Sequence, residues 1–361
     1  MEELGIYLHW PFCKSKCPYC DFYSVVKHRF NQDALIDEYL HQLEQYRQLL
    51  GNRHIKSVFF GGGTPSLITP SNIELILSKI ARLWGLDSAA EISLEANPNT
   101  NTPNLFADLH SAGINRLSLG VQSFNDTELK FLGRTHNSTQ ALQAIADMQK
   151  YFNNCSIDLI YALPDQTADS WQQQLEKACR LGLNHLSLYQ LTIEDGTIFA
   201  KRHVRSLDEQ QASELYFLTE DILVNHHIYK YEVSNYATQD FSSKHNLIYW
   251  QGGEYIGIGK SAHGRFKLNN QWYAQTDNLQ TSPLTPYERA QELIIMGLRL
   301  SSGINKSQFK SLCRLDFAAV SNSEFINYAV SQNWLENTPQ YICATRSGFL
   351  ILDKLIEGIC C

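Results

Sequence analysis

The sequence predicts an α/β protein: a partial (β/α)6 TIM-like barrel followed by a small helical, winged-helix-like C-terminal domain. Three observations carry this. From residue 4 to about 194, short β-type apolar runs alternate with stretches whose apolar residues recur every three or four positions, the mark of a parallel sheet with crossover helices. Six such units can be counted, two short of a closed eight-unit barrel, which leaves one side open and places ligands at the C-terminal ends of the strands. Beyond Pro283 and Pro286 the pattern becomes three short helices and a final extended pair.

Taken in order, the strands are expected at Gly5–His9, Ser57–Gly61, Ala90–Ala96, Arg116–Val121, Ile157–Ala162 and His185–Leu191. Helical periodicity fills Asp33–Leu50, Asn72–Leu83, Asn104–Ser111, Ser138–Tyr151 and Ser170–Leu181. Asp33 and Ser71 are the expected N-caps, and Gly51, Gly113 and Gly182 the expected stops. Residues 207–280 are less regular, with a helix over Asp208–Asn225, an extended Tyr229–Tyr236 and a glycine-rich run Gly252–Gly264. Helices return at Tyr287–Leu300, Lys306–Leu312 and Asn322–Asn333, and Tyr341–Ala344 with Gly348–Leu352 reads as a β-hairpin. The chain divides into a barrel core over 1–235, a connecting segment over 236–284 and a C-terminal helical domain over 285–361. Its tail, Ile359-Cys360-Cys361, reads as an unstructured terminus.

Composition narrows the function classes. A hydrophobic content of 43% and a charged content of 19% describe an ordinary globule. A net charge of −7 opposes a sequence-independent grip on nucleic acid, which needs a basic face to displace counterions. Nine cysteines, an odd count with a single cluster, do not form a disulfide framework and point to a reducing compartment. The opening Met-Glu-Glu leads almost at once into a strand, so no signal peptide is expected. No run approaches the ~18 apolar residues of a membrane span. Together these features predict a cytoplasmic protein.

The most informative motif is Cys13, Cys17 and Cys20, a CxxxCxxC triplet directly after the first strand. Iron–sulfur cubes are held by thiolates, usually four. Three ligands on one loop leave one iron of a [4Fe-4S] cluster open to a small molecule. A zinc loop is the alternative reading, but zinc loops come as paired CxxC units or with histidines at fixed spacing downstream, and no such pair follows.

Gly61-Gly62-Gly63-Thr64-Pro65 lies one β/α unit later, at a strand's C-terminal end. Successive glycines there let backbone N–H and C=O groups approach a polar ligand. Glu95, at the tip of the third strand, can accept from ribose hydroxyls or an ammonium group. Gln122, Arg134 and Asp158 add polar groups near strand ends, as a cofactor pocket requires. His245, in His-Asn-Leu-Ile-Tyr-Trp (245–250), is either a haem ligand flanked by aromatics or a hydrogen-bonded structural histidine.

With these motifs in order, the chain resembles the haem-chaperone branch (HemW) of the radical SAM family, which also contains the oxygen-independent coproporphyrinogen III dehydrogenase. The likeness runs from Tyr7 to about Leu355. It rests on Tyr-Leu-His-Trp-Pro-Phe-Cys (7–13), the triplet, Gly-Gly-Gly-Thr-Pro-Ser (61–66), Glu-Ala-Asn-Pro (95–98), residues 113–124, Asp-Leu-Ile-Tyr (158–161), Tyr-Glu-Val-Ser-Asn-Tyr-Ala (231–237) and the HNxxYW stretch. The resemblance implies a [4Fe-4S] cluster on Cys13, Cys17 and Cys20. It implies an S-adenosylmethionine (SAM) site lined by Tyr7, Gly62, Gly63, Thr64 and Glu95, extended by Gln122, Arg134 and Asp158, and a haem contact near His245. The implied partners are haem and a haem-accepting protein, with a homodimer allowed.

The alternative within the family is the dehydrogenase, which decarboxylates porphyrinogen propionates oxidatively. Phe22 stands where that enzyme has a fourth cysteine, and its N-terminal extension has no counterpart before the first strand expected here. Ala162 and Lys260-Ser261 replace residues that are glycine, or smaller residues or proline, in the branch.

Overall fold

The protein is described by a computed structural model that covers residues 2–27, 31–100, 104–277 and 279–360. Its main sheet has twelve strands among the described residues. In chain order they are β1 (Glu3–Trp10), β2 (His54–Gly62), β3 (Glu91–Ala96), β4 (Arg116–Gln122), β5 (Asn154–Tyr161), β6 (His185–Gln190), β7 (Tyr229–Glu232), β8 (Asn235–Ala237), β9 (Glu254–Ile258), β10 (Gly264–Leu268), β11 (Gln271–Gln275) and β12 (Thr281–Pro283). Across the sheet they run β12-β11-β10-β9-β1-β2-β3-β4-β5-β6-β8-β7. The six expected strands all form and pair in parallel in sequence order.

The sheet exceeds the six-unit expectation at both edges. β9 adds a seventh parallel strand beside β1, with Ile6 opposite Ile256 and Leu8 opposite Ile258. β10 to β12 extend that edge as an antiparallel meander, and β8 with β7 close the other edge antiparallel to β6. The stretch 236–284, expected to be a connector, therefore supplies strands to the barrel sheet itself.

The pleat explains how the sheet builds both a core and a site, because alternate side chains face opposite ways. Leu4, Ile6, Leu8 and Trp10 of β1 point outward beneath the helices Gln32–Leu50 and Pro70–Trp84 and are fully buried, as are Ile36, Tyr39, Leu43, Ile73 and Ile80 from those helices. Burying such side chains contributes roughly 1.5–3 kcal/mol each. The other set, Gly5, Tyr7 and His9, faces inward. The caps lie two residues earlier than expected: Asn31 and Thr69, not Asp33 and Ser71, carry the capping oxygens, accepting from Asp33 N and Asn72 N.

The C-terminal domain has its own core, with Ile294, Leu298, Phe309, Ala329, Ile342 and Leu355 in contact. Helices Pro286–Gly297, Lys306–Cys313 and Ser323–Ser331 pack on a three-stranded sheet of Ile304–Asn305, Tyr341–Ala344 and Leu335–Asn337. The hairpin thus joins Leu335–Asn337 to Tyr341–Ala344. Gly348–Ile351 is a 3₁₀ turn leading into a helix over Leu352–Cys360, so the tail to residue 360 is helical, not unstructured, because Leu352, Leu355, Ile356 and Ile359 form a buried stripe. Cys361 lies outside the described residues.

Candidate cofactor site

The triplet occupies the loop that leaves β1 at its C-terminal end. Two short strands, Phe12–Cys13 and Val25–Val26, pair in parallel and clamp the loop's two ends, and Cys20 N donates to Cys17 O at 3.1 Å. Cys13, Cys17 and Cys20 are free thiols, Cys13 buried and the others half-buried. Thr64 Oγ1 donates to Cys13 Sγ at 3.6 Å, and Arg134 reaches Cys17 Sγ at 3.2 Å, so a hydroxyl and a guanidinium already face two of the sulfurs. Among the described residues no three of His, Cys, Asp and Glu stand close enough to share one metal ion. A structural zinc site takes four Cys or His ligands, whereas three thiols on one loop, two of them facing donors, suit an iron–sulfur cluster.

The glycine loop packs directly against this one. Gly63 N donates to Trp10 O at 2.6 Å and Thr64 N to Phe12 O at 2.9 Å. Gly62 has φ 108, and a Cβ there would come within 2.8 Å of His9 Cε1 and of Trp10 O; a Cβ on Gly63 would lie 2.7 Å from Phe12 O and 3.0 Å from Cys13 Sγ. The glycines are required by the close approach of two backbones as well as by any ligand. A side chain at position 63 would therefore disturb the cysteine loop itself, and one at position 62 the end of β1 that leads into it.

Glu95 stands beside them, its Oε2 accepting from Gly62 N at 3.2 Å. Burial, reinforced by the Asp158 carboxylate, pushes its carboxyl up to about 8. Asp158 is also raised by burial, although Ser118 donates to it at 2.9 Å. Tyr7 lies on the same inward face, its hydroxyl 3.2 Å from His9 Nδ1. Gln122 sits at a β-bulge with φ 70 at the end of β4. Arg134 donates to Gly120 O at 2.9 Å and also holds Asn97, which in turn donates to Thr64 Oγ1 at 3.2 Å. The structure thus gathers Cys13, Cys17, Cys20, Gly62, Gly63, Thr64, Glu95, Gln122, Arg134 and Asp158 at one end of the barrel, while Tyr7 stands deeper, its ring stacked 6.4 Å from that of His245.

His245 is at the other end. It begins the short helix Lys244–Trp250, which plugs the N-terminal end of the barrel. Its ring is 1% exposed and stacks on Phe59 at 5.0 Å; Nδ1 lies 2.7 Å from Ser57 Oγ, and Nε2 bonds Tyr249 OH. Burial, with Arg116 nearby, pushes it down to about 3. Both ring nitrogens are occupied there, the arrangement of the hydrogen-bonded structural histidine that is the second of the two readings of this motif.

The floor also holds residues that the reading of motifs missed. Glu91 accepts from Ser243 Oγ at 3.2 Å, Lys244 N at 3.0 Å and His245 N at 3.2 Å, and stands 3.9 Å from Arg116. His185 repeats the arrangement of His245, between Ser156 Oγ at 2.7 Å and Tyr231 OH at 2.9 Å. The signal was present in Glu-Ile-Ser-Leu-Glu (91–95), Arg-Leu-Ser-Leu-Gly (116–120) and His-Leu-Ser-Leu-Tyr (185–189). Parallel strands covered on both faces are usually apolar throughout, so strict polar alternation in them marks a polar barrel interior.

Comparison with known proteins agrees with this geometry. Residues 7–178 match the model of the radical SAM superfamily and residues 284–351 that of the HemN C-terminal domain. The chain is 34% identical to the heme chaperone HemW of Haemophilus influenzae, over 99% of this chain and 98% of the relative. It is 36% identical to the mitochondrial radical S-adenosyl methionine domain-containing protein 1 of Bos taurus, over 86% and 76%. The structure of coproporphyrinogen III oxidase (HemN) from Escherichia coli superposes with a TM-score of 0.83 at 20% identity, covering 99% of this chain and 90% of that one, which establishes the shared fold.

Proposed function

The chain belongs to the HemW family of the radical SAM superfamily, and on that premise we propose that it is a haem chaperone that carries a [4Fe-4S] cluster, SAM and haem and passes haem to an acceptor protein. The observation that carries the cofactor reading is the single mouth at which three free thiols, two close-packed glycines and a half-buried carboxyl converge. Cys13, Cys17 and Cys20 would hold the cluster, which when bound supplies a reducible centre with one open iron. The backbone of Gly62 to Thr64 and the carboxyl of Glu95 would orient the amino-acid and ribose parts of SAM. Tyr7, Gln122, Arg134 and Asp158 would complete the pocket wall.

Phe22 favours the carrier over the dehydrogenase. At the position of that enzyme's fourth cysteine it places an exposed phenyl ring. Among the described residues no helix is long and apolar enough to cross a membrane, and the proposal takes the cytoplasm as the compartment and allows a homodimer. The test is direct: the reconstituted protein should retain haem in a one-to-one ratio through gel filtration while leaving coproporphyrinogen III unchanged in the presence of SAM and reductant. Turnover of coproporphyrinogen would replace the chaperone reading with the enzymatic one.

A further inference from the structure

The segment that follows Cys20 exposes an apolar patch. Phe22 is 64% exposed, Tyr23 36%, Val25 39% and Val26 46%, four large apolar side chains within five residues. Single exposed apolar residues need no explanation, but a contiguous group rimmed by polar residues marks a binding surface. The rim is basic. Lys14, Lys16 and Lys27 are exposed on the same loop, against the single acid Asp21, and Lys260 reaches across from the turn after β9 with its ammonium 5.1 Å from the Tyr23 ring. Lys27 lies 5.6 Å from the Phe12 ring. This local charge opposes that of a chain whose net charge is −7. Backbone bonds hold the patch in shape: Val25 N donates to Pro11 O at 2.7 Å, Lys27 N to Cys13 O at 3.2 Å, and Tyr23 O accepts from His9 Nε2 at 3.0 Å. The Tyr23 hydroxyl itself has no hydrogen bond among the described residues.

A stable protein interface buries about 1,200 Å² or more, wider than four side chains within five residues supply. A flat apolar molecule with anionic groups at its edge fits better. The cargo of the proposed function has that chemistry: two apolar faces, two propionates on one edge, and an iron that takes His, Cys, Met or Tyr as axial ligand. His245 and His185 are closed into the floor, so the iron must find its ligand elsewhere. We infer that haem is held on this patch, with one porphyrin face on Phe22, Val25 and Val26, the propionates on Lys27 and Lys260, and the Tyr23 phenol oxygen on the iron. On binding, ferric iron exchanges a bound water for the phenolate, the phenol proton leaves to solvent, and no electron moves. A cargo seated on an open surface keeps its other face free for an acceptor protein. The inference rests on the haem-chaperone reading and adds to it a place and an axial ligand.

The test titrates the full chain with ferric haem and follows absorbance and retention on gel filtration. Tyr23→Phe should move the Soret band and remove the phenolate-to-iron charge-transfer absorption. His263→Ala, which alters an exposed histidine in the same turn as Lys260, should leave the spectrum as in the parent. The double variant Lys27→Glu and Lys260→Glu should bind haem about tenfold more weakly at low salt, with the difference shrinking at high ionic strength. Mesohaem dimethyl ester, whose carboxyls carry no charge, should bind that variant and the parent equally. Phe22→Ser should shorten haem retention. If the parent itself retains no haem, the chaperone reading falls and this site with it. If the parent retains haem and Tyr23→Phe has its spectrum, or His263→Ala alone shifts the band, the ligand assignment is overturned. Equal losses of haem and of its ester in the lysine variant would overturn the role of the propionates, and unchanged retention by Phe22→Ser would give the patch to a protein partner instead.

Discussion

The mouth and the floor of this barrel are made from the same inward-facing positions of the same strands, and they differ in how far their polar groups are satisfied. At the floor, Glu91 receives three donors from the start of the plugging helix and faces Arg116, and His245 and His185 each sit between a serine and a tyrosine hydroxyl. At the mouth, half-buried Glu95 accepts from Gly62 N and lies near the half-buried carboxyl of Asp158. A buried polar group without partners is costly, so it is tolerated where a ligand completes it. The floor is a densely bonded structural network in which Arg116 Nε alone of the groups named here lacks a hydrogen bond, whereas the mouth is more open.

Breaking the mouth at its ligands should give the largest effect. Replacing any one of Cys13, Cys17 or Cys20 by Ser should abolish the visible iron–sulfur absorption after anaerobic reconstitution. Retention of four irons and four sulfides by the triple variant would move the cluster to other cysteines.

Breaking the floor should cost stability and leave the cluster alone. Glu91→Ala removes the acceptor for four donors, Ser93 Oγ among them, and leaves Arg116, 3% exposed, without its counter-charge, so denaturant unfolding should show a loss of about 3–5 kcal/mol. His245→Ala opens a cavity and strands the hydroxyls of Ser57 and Tyr249, which predicts a loss of roughly 2–4 kcal/mol. The Soret band of bound haem should be unchanged in that variant. A shifted band at parental stability would show that the floor opens to haem after all.

The comparison sharpens with pH. In the ligand-free protein the Glu95 carboxyl titrates near 8, above its unfolded value of about 4.3, so the folded state binds the extra proton between those values. Stability contributed through this group is therefore intact below about pH 4 and falls as pH rises towards 8. Glu95→Gln should flatten that slope. SAM binding, which offers donors to the carboxylate, should release up to about one proton at pH 7, read by calorimetry in buffers of different ionisation heat, and Glu95→Gln should remove the release.

The smallest expected change concerns a backbone position just beyond β5. Ala162 holds φ 57, a left-handed conformation that costs a residue with a Cβ about 1–2 kcal/mol. Ala162→Gly should stabilise the protein by roughly 0.5–1 kcal/mol after the greater entropy loss of glycine. Ser261, at φ 62, is strained in the same way. A loss of stability on Ala162→Gly would show that the methyl group packs usefully.

What the sequence determined by itself was whatever depends on neighbours along the chain. The triplet, the glycines after β2 and the carboxylate ending β3 were legible because each is one motif at one strand end, and parallel order delivers successive strand ends to the same mouth. The six strands were legible because periodicity is local. Tertiary structure alone decided the rest. That Glu254–Ile258 would pair with β1, about 250 residues away in sequence, is not written in either strand, since an edge strand accepts any partner of matching twist and register. Because that strand lies beside β1, the helix before it is drawn under the barrel, and the His245 ring is closed between Ser57 and Tyr249. A histidine's chemistry is set by what packs against its two nitrogens; here Tyr249 lies one helical turn on in the same helix, whereas Ser57 was brought by packing alone.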